Sequence, residues 1–201
     1  MIYYKPNSDI YYLESDYLTE ERDFLLSHQC RLLNVNEANM FNLGNFFQKN
    51  DDDIKPILNS DFHYFMIPYE LDDEIIDDLS ASEIILSLIS ENLHNKIYLA
   101  STDSDKCCFI ECNNLDEDIL YNLYNTHINT PFIVFNEDTN FFALIDFDLP
   151  IQIIAFKKNI IDSYNFISNN IGQKGWDDLY QRYSSYINLQ PIFNKYYKPL
   201  L

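Results

Sequence analysis

Residues Phe132–Phe156 read FIVFNEDTNFFALIDFDLPIQIIAF. Three apolar runs, FIVF, FFALI and IQIIAF, are separated by short polar connections. Runs of this length, bounded by Asn, Asp and Pro and rich in aromatic and β-branched residues, predict strands. A strand with one wet face alternates apolar and polar residues, and these runs do not. They are therefore expected in the middle of a sheet, covered on both faces.

Working outward, FHYFMIP at Phe62–Pro68 reads as a further strand. A helical stretch is expected from there to about Leu93, with Ile75, Leu79, Leu86, Ile89 and Leu93 on one face. Within it, Ser80-Ala81-Ser82-Glu83 matches a capping box, which would start a new helix at residue 81. Lys96–Ser101 and Lys106–Cys112 read as a strand pair around the turn Thr102–Asp105. Asp116–His127 reads as a helix capped by Asn114. Downstream, Ile160–Asn170 is helical in pattern with Gly172 suited to its C′ position, and Trp176–Tyr186 forms a last helix. The first third is less regular: a tyrosine-rich start, a helix over Glu20–His28 with Thr19 as N-cap, and mostly loop from Asn34 to Ser60. The expectation is a single α+β domain over residues 1–201. It has an irregular part at 1–60, a sheet-and-helix core at 61–186 and a tail at 187–201. The sheet is mixed or antiparallel with about five strands, and helices pack on it.

The 201-residue chain carries 32 Asp and Glu against 13 Lys and Arg, a formal net charge of −19. Such a field repels nucleic acid and anionic membrane surfaces and speeds encounter with basic proteins. A hydrophobic fraction of 47% with 16% aromatics sets the chain apart from disordered acidic tails. No basic region followed by an apolar run opens the sequence, and no stretch is long enough to span a bilayer, so a cytoplasmic protein is expected. Of the four cysteines, Cys30 stands alone and Cys107, Cys108 and Cys112 share an apparent strand. Free buried thiols fit this spacing better than disulfides or zinc.

Most acids sit where a helix is expected to begin, favoured there by the helix dipole at about 0.3–1 kcal/mol each. Glu20, Glu21 and Asp23 follow Thr19; Asp72, Asp73 and Glu74 open the next stretch; Asp116–Asp118 follow Asn114; Asp177 and Asp178 follow Gly175-Trp176. Asp77 and Asp78 differ. They lie four residues after Asp73 and Glu74, where like charges repel by about 0.2–0.5 kcal/mol per pair on a helix. Either compositional drift or a basic partner accounts for them. Tyr69, beside this cluster, is a candidate aromatic anchor for such a partner, and Trp176 is either a second anchor or a core residue. Asp146 and Asp148 are two apart on a strand and share a face, as two metal ligands could or as a strand end would. The four histidines are scattered, no nucleophile elbow is present, and three glycines cannot supply a phosphate-cradling loop. The partner-binding candidates are thus Tyr69, Asp72, Asp73, Glu74, Asp77, Asp78, Asp146 and Asp148, with no catalytic residue, no metal and no cofactor assigned.

Abundant Asn, Ile and Tyr with scarce Gly matches the residue bias of AT-rich bacterial and phage genomes. From Lys96 to Tyr186, a helix leading into the hairpin-rich run FIVFNEDTNFFALIDFDLPIQIIAF, followed by further helices, resembles the immunity proteins of bacterial polymorphic and contact-dependent growth inhibition toxin systems. The similarity is one of layout and composition, and no subfamily is assigned by it. It implies a non-enzymatic inhibitor that binds a cognate, basic, nuclease-type toxin domain. Two other readings stay open: an acidic DNA-mimic inhibitor of a nucleic-acid-binding protein, and a metal-dependent hydrolase using Asp146 and Asp148.

Overall fold

The computed structural model describes residues 2–3, 19–38, 40–41, 43–50, 53–70, 74–76, 79–92, 96–101, 109–120, 132–146, 151–158, 169–185, 188–194 and 198. Its strands are β1 (Ile2–Tyr3), β2 (Cys30–Leu32), β3 (Phe47–Asn50), β4 (Asp53–Pro56), β5 (Phe62–Ile67), β6 (Glu74–Ile76), β7 (Leu79–Ser80), β8 (Ile97–Ser101), β9 (Phe109–Cys112), β10 (Phe132–Asn136), β11 (Phe141–Asp146) and β12 (Ile151–Lys157). The helices are α1 (Thr19–Ser27), α2 (Val35–Ala38), α3 (Ala81–Asn92), α4 (Asn169–Tyr183) and α5 (Gln190–Ile192), with a 3₁₀ turn at Leu43–Asn45.

The three runs at 132–156 form β10, β11 and β12, paired antiparallel as neighbours. Successive side chains alternate between two apolar clusters: Phe132, Val134, Phe141, Ala143, Ile145, Ile154 and Phe156 face one, and Ile133, Phe135, Phe142, Leu144, Ile153 and Ala155 face the other. Both sets need cover, which explains the unbroken hydrophobicity. On the first face lie α1 through Leu25, α3 through Ala81, Ile84, Ile85 and Ile89, and the helical turn at residues 117–120 through Ile119 and Leu120. On the second lie Ala38, Leu43, Phe47, Trp176, Leu179 and Leu189, drawn from α2, the 3₁₀ turn, β3, α4 and the residue preceding α5. A fully buried residue of this size contributes about 1.5–3 kcal/mol relative to its exposed state, so the two faces together dominate stability. Gln152 interrupts the apolar pattern. It is buried on β12 between Ile145 and Ile67, and its Oε1 has no hydrogen-bond partner among the described residues.

The main sheet has seven strands in the order β2-β9-β8-β10-β11-β12-β5, where about five were expected, and every pairing in it is antiparallel. The three-residue β2, at one edge, is too short to display a period. The expected pair at Ile97–Ser101 and Phe109–Cys112 forms as β8 and β9; the turn read between them lies outside the described residues. The region expected as loop from Asn34 to Ser60 instead holds α2, the 3₁₀ turn and the β3–β4 hairpin, which β1 extends to a three-stranded sheet. Phe47 seals this part onto the core, fully buried and edge-on to Phe142 at 4.9 Å between ring centroids.

The helix expected from residue 70 onward starts later. Glu74–Ile76 and Leu79–Ser80 pair as short strands, and α3 begins only at Ala81. The capping box decides the boundary: the Ser80 amide donates to Glu83 Oε2 at 2.8 Å, and the Glu83 amide donates to Ser80 Oγ at 3.2 Å. The helical turn at 117–120 is capped by Asp116, whose Oδ1 accepts from the Ile119 amide at 2.9 Å, rather than by Asn114. Gly172 does not end a helix, since α4 runs through it from Asn169 to Tyr183. The pattern expected over residues 160–168 lies outside the described residues.

Gly175 shows why this helix carries glycine. A Cβ there would lie 2.5 Å from Pro68 Cγ and 2.5 Å from Tyr69 Cε2, so the bare backbone lets α4 lie against the end of β5. Gly175→Ala is expected to cost about 1–3 kcal/mol through overpacking, despite alanine's better helix propensity. A lowered denaturation midpoint checks this; an unchanged or raised midpoint would contradict the close approach.

Candidate functional site

The turn after β5 and the last turns of α4 meet at one rim of the molecule. Tyr69 Oη donates to Asp178 Oδ2 at 3.1 Å, and Tyr183 Oη donates to Glu70 Oε1 at 2.6 Å. Tyr69, Asp178, Gln181 and Arg182 line an open depression of about 300 Å³ between the two elements. Tyr69, expected as an exposed anchor, is only 5% exposed and belongs to the first-face core. Its ring is held by the close approach of Gly175, and its hydroxyl is satisfied within the chain. Trp176 is likewise a core residue at 8% exposure, packed near Phe193. Asp177 and Asp178 lie in the middle of α4, not at a helix start, so the dipole argument does not apply to them.

Of the other acids read from the sequence, Glu74 is exposed on β6, a strand and not the first turn of a helix. Asp72, Asp73, Asp77 and Asp78 lie outside the described residues, as does Asp148. Asp146 is the last residue of β11, opposite Ile151. The structure therefore brings Glu70 and Asp178 to one rim and leaves the expected Asp146–Asp148 pair without a described partner geometry. Elsewhere Glu83, Asp118 and Glu137 are exposed, and Glu117 accepts from Ser82 Oγ at 2.9 Å. Among the described residues, no group of three or more His, Cys, Asp or Glu could hold a metal ion.

The described bases with recorded ion pairs gather at the opposite end of the main sheet. Arg31 on β2 donates to Glu37 Oε1 at 2.8 Å and to Glu111 Oε2 at 3.0 Å, and Lys96 donates to Glu111 Oε1 at 2.9 Å. Glu111 stands on the same face of β9 as Phe109, where the apolar cover ends. Burial pushes its carboxyl up, but the hydrogen bonds from Lys96 and Arg31 and their charges outweigh this and hold it below the ordinary range. Tyr98, alongside, is pushed up to about 12, first by burial and then by the charges of Glu111 and Glu137. Sequence reasoning missed this cluster because its members are distant in the chain and meet only through the β2-β9-β8 register.

Cys30, which the sequence leaves alone, faces Cys112 across the same strands, and both are buried free thiols. Cys107 and Cys108 lie outside the described residues. His28 closes α1, its ring stacked on Phe24 at 4.1 Å between centroids, in keeping with a helix-end role. No helix among the described residues is long and apolar enough to cross a membrane. No family model matches the chain, and neither a curated protein nor a solved structure matches it.

Because the Glu111 carboxyl is held below its ordinary value of 4.5, its ion pairs support the fold fully above that pH. That support is lost as pH falls through the depressed value. Glu111→Gln should therefore cost about 1–2 kcal/mol near neutrality, discounted for two half-exposed partners, and less at about pH 3.5, below the ordinary carboxylate value. Denaturant melts at both pH values check this, and an equal loss at each would contradict it.

Proposed function

We propose that this chain is a non-enzymatic immunity protein that neutralises a basic, nuclease-type toxin domain by binding it in the cytoplasm. The observation that carries the reading is the charge surplus. With 32 acids and 13 Lys and Arg, nineteen negative charges are left over even when every Lys and Arg is counted against an acid, whatever the fold. Two of the bases, Arg31 and Lys96, are engaged within the chain on Glu37 and Glu111. Surplus charge of one sign opposes compaction by self-repulsion, and it favours encounter with a surface of the opposite sign. An enzyme that cleaves nucleic acid must attract phosphate, so its surface supplies that opposite sign. The layout read from the sequence over Lys96–Tyr186, which resembles that of immunity proteins, favours the same reading.

The acids that would meet the partner are Asp72, Asp73, Glu74, Asp77 and Asp78, which follow Glu70 and its rim in the chain; Asp146 and Asp148 are a secondary set. The exposure of Glu74 is consistent with this role. Tyr69 is not an anchor for the partner, since its ring is buried. Steering by such a cluster raises the association rate, whereas dwell time depends on contacts made after docking.

The test is stopped-flow association with the product of the gene immediately upstream of this chain, together with titration of any nuclease activity that product has. One-to-one loss of nuclease activity is expected, with an association rate that falls at least about tenfold between roughly 50 and 300 mM salt. Asp77→Lys combined with Asp78→Lys should slow association several-fold with an unchanged circular dichroism spectrum. Binding of micromolar or weaker affinity with no salt dependence would overturn the proposal.

A further inference from the structure

Cys30 and Cys112 are direct partners in the antiparallel register of β2 and β9. Directly opposed residues in such a ladder have Cα atoms about 4.5–5.5 Å apart, inside the range that a disulfide spans. Their sulfurs are 2.9 Å apart, less than 1 Å beyond the roughly 2.05 Å bond length. Both side chains point into the first-face core beside Ile110 and Ile119, so neither must turn to meet the other. The two positions are 82 residues apart in sequence, and β2 is a three-residue edge strand.

We propose that Cys30 and Cys112 form a reversible disulfide that fastens edge strand β2 to the rest of the main sheet. The oxidant is a low-molecular-weight disulfide. Its sulfur is attacked by the Cys30 thiolate, one small thiolate leaves, and a mixed disulfide forms at Cys30. Cys112, having lost its proton to solvent, then attacks the Cys30 sulfur and expels the second small thiol. Two protein thiols are oxidised by two electrons and one small disulfide is reduced to two thiols.

Position in the fold sets the order. Cys30 is on the edge strand, where fraying of three residues uncovers it, while Cys112 lies inside between β2 and β8. Acidity runs the same way: the Cys112 thiol directed at the Cys30 sulfur holds Cys30 below an ordinary thiol against burial and the Asp116 charge, while Cys112 is pushed up. A closure spanning 82 residues of chain restricts the unfolded ensemble strongly, so the oxidised form should melt about 5–10 °C higher than the reduced form.

The experiment uses the full chain with Cys107→Ser and Cys108→Ser, incubated with oxidised glutathione or with dithiothreitol. Expected are a loss of two hydrogens by mass spectrometry, a Cys30–Cys112 linked peptide on a non-reducing map, and the higher melting temperature. All three should revert with dithiothreitol, and Cys30→Ala should melt identically under both conditions. The wild-type chain read on the same map keeps the test valid if the serine variant fails to fold. Glutathione left bound at Cys30 without closure, both thiols still free, or closure with no change in melting would each overturn the proposal.

Discussion

A sheet whose middle strands are apolar on both faces must be covered twice, and this requirement organises the molecule. β10, β11 and β12 send alternate side chains into two separate clusters, with no wet face between them. Antiparallel sheets commonly leave one face to solvent. Here the first face takes α3, α1 and the turn at 117–120, while the second takes α4 and the small β1-β3-β4 sheet. The irregular first third is thus recruited as cover, with Phe47 and Leu43 buried in the second cluster.

Double cover also fixes where charge can go. With both faces sealed, acids are displaced to turns, helix surfaces and the ends of strands: Glu137 at the β10–β11 turn, Glu83 at the start of α3, Glu74 on β6. Among the described residues Glu111 is the exception, a buried carboxylate on β9. It is tolerated because Arg31 and Lys96 reach it at the edge of the covering layer. Such pairs leave the net charge of −19 unchanged, because it already counts their bases, and the resulting field surrounds the whole molecule. Specificity towards a basic partner would then come from which part of the rim concentrates that field.

The strands at 132–156 were legible because composition, run length and turn residues agree, and their lack of alternation correctly announced cover on both sides. The capping box at Ser80–Glu83 marked the start of α3 more reliably than the apolar spacing from Ile75 onward, since reciprocal hydrogen bonds fix a boundary and spacing does not. Other features depend on contacts that no local window contains. The role of Gly175 requires knowing that Pro68 and Tyr69 approach it, and Gly172 looks like a terminus although α4 runs through it. Tyr69 reads as a surface anchor from its acidic neighbours, yet it is buried in the first-face core with its ring close against Gly175. Cys30 pairs with Cys112 through a three-residue strand too short to predict.

Hydrogen–deuterium exchange on the chain alone and with the product of the gene immediately upstream, the proposed partner, tests the account most directly. It predicts that amides of β10, β11 and β12 exchange slowest in both states, and that protection gained on binding centres on residues 70–83. Protection gained across the sheet centre, or rapid exchange of those central strands in the free chain, would contradict it.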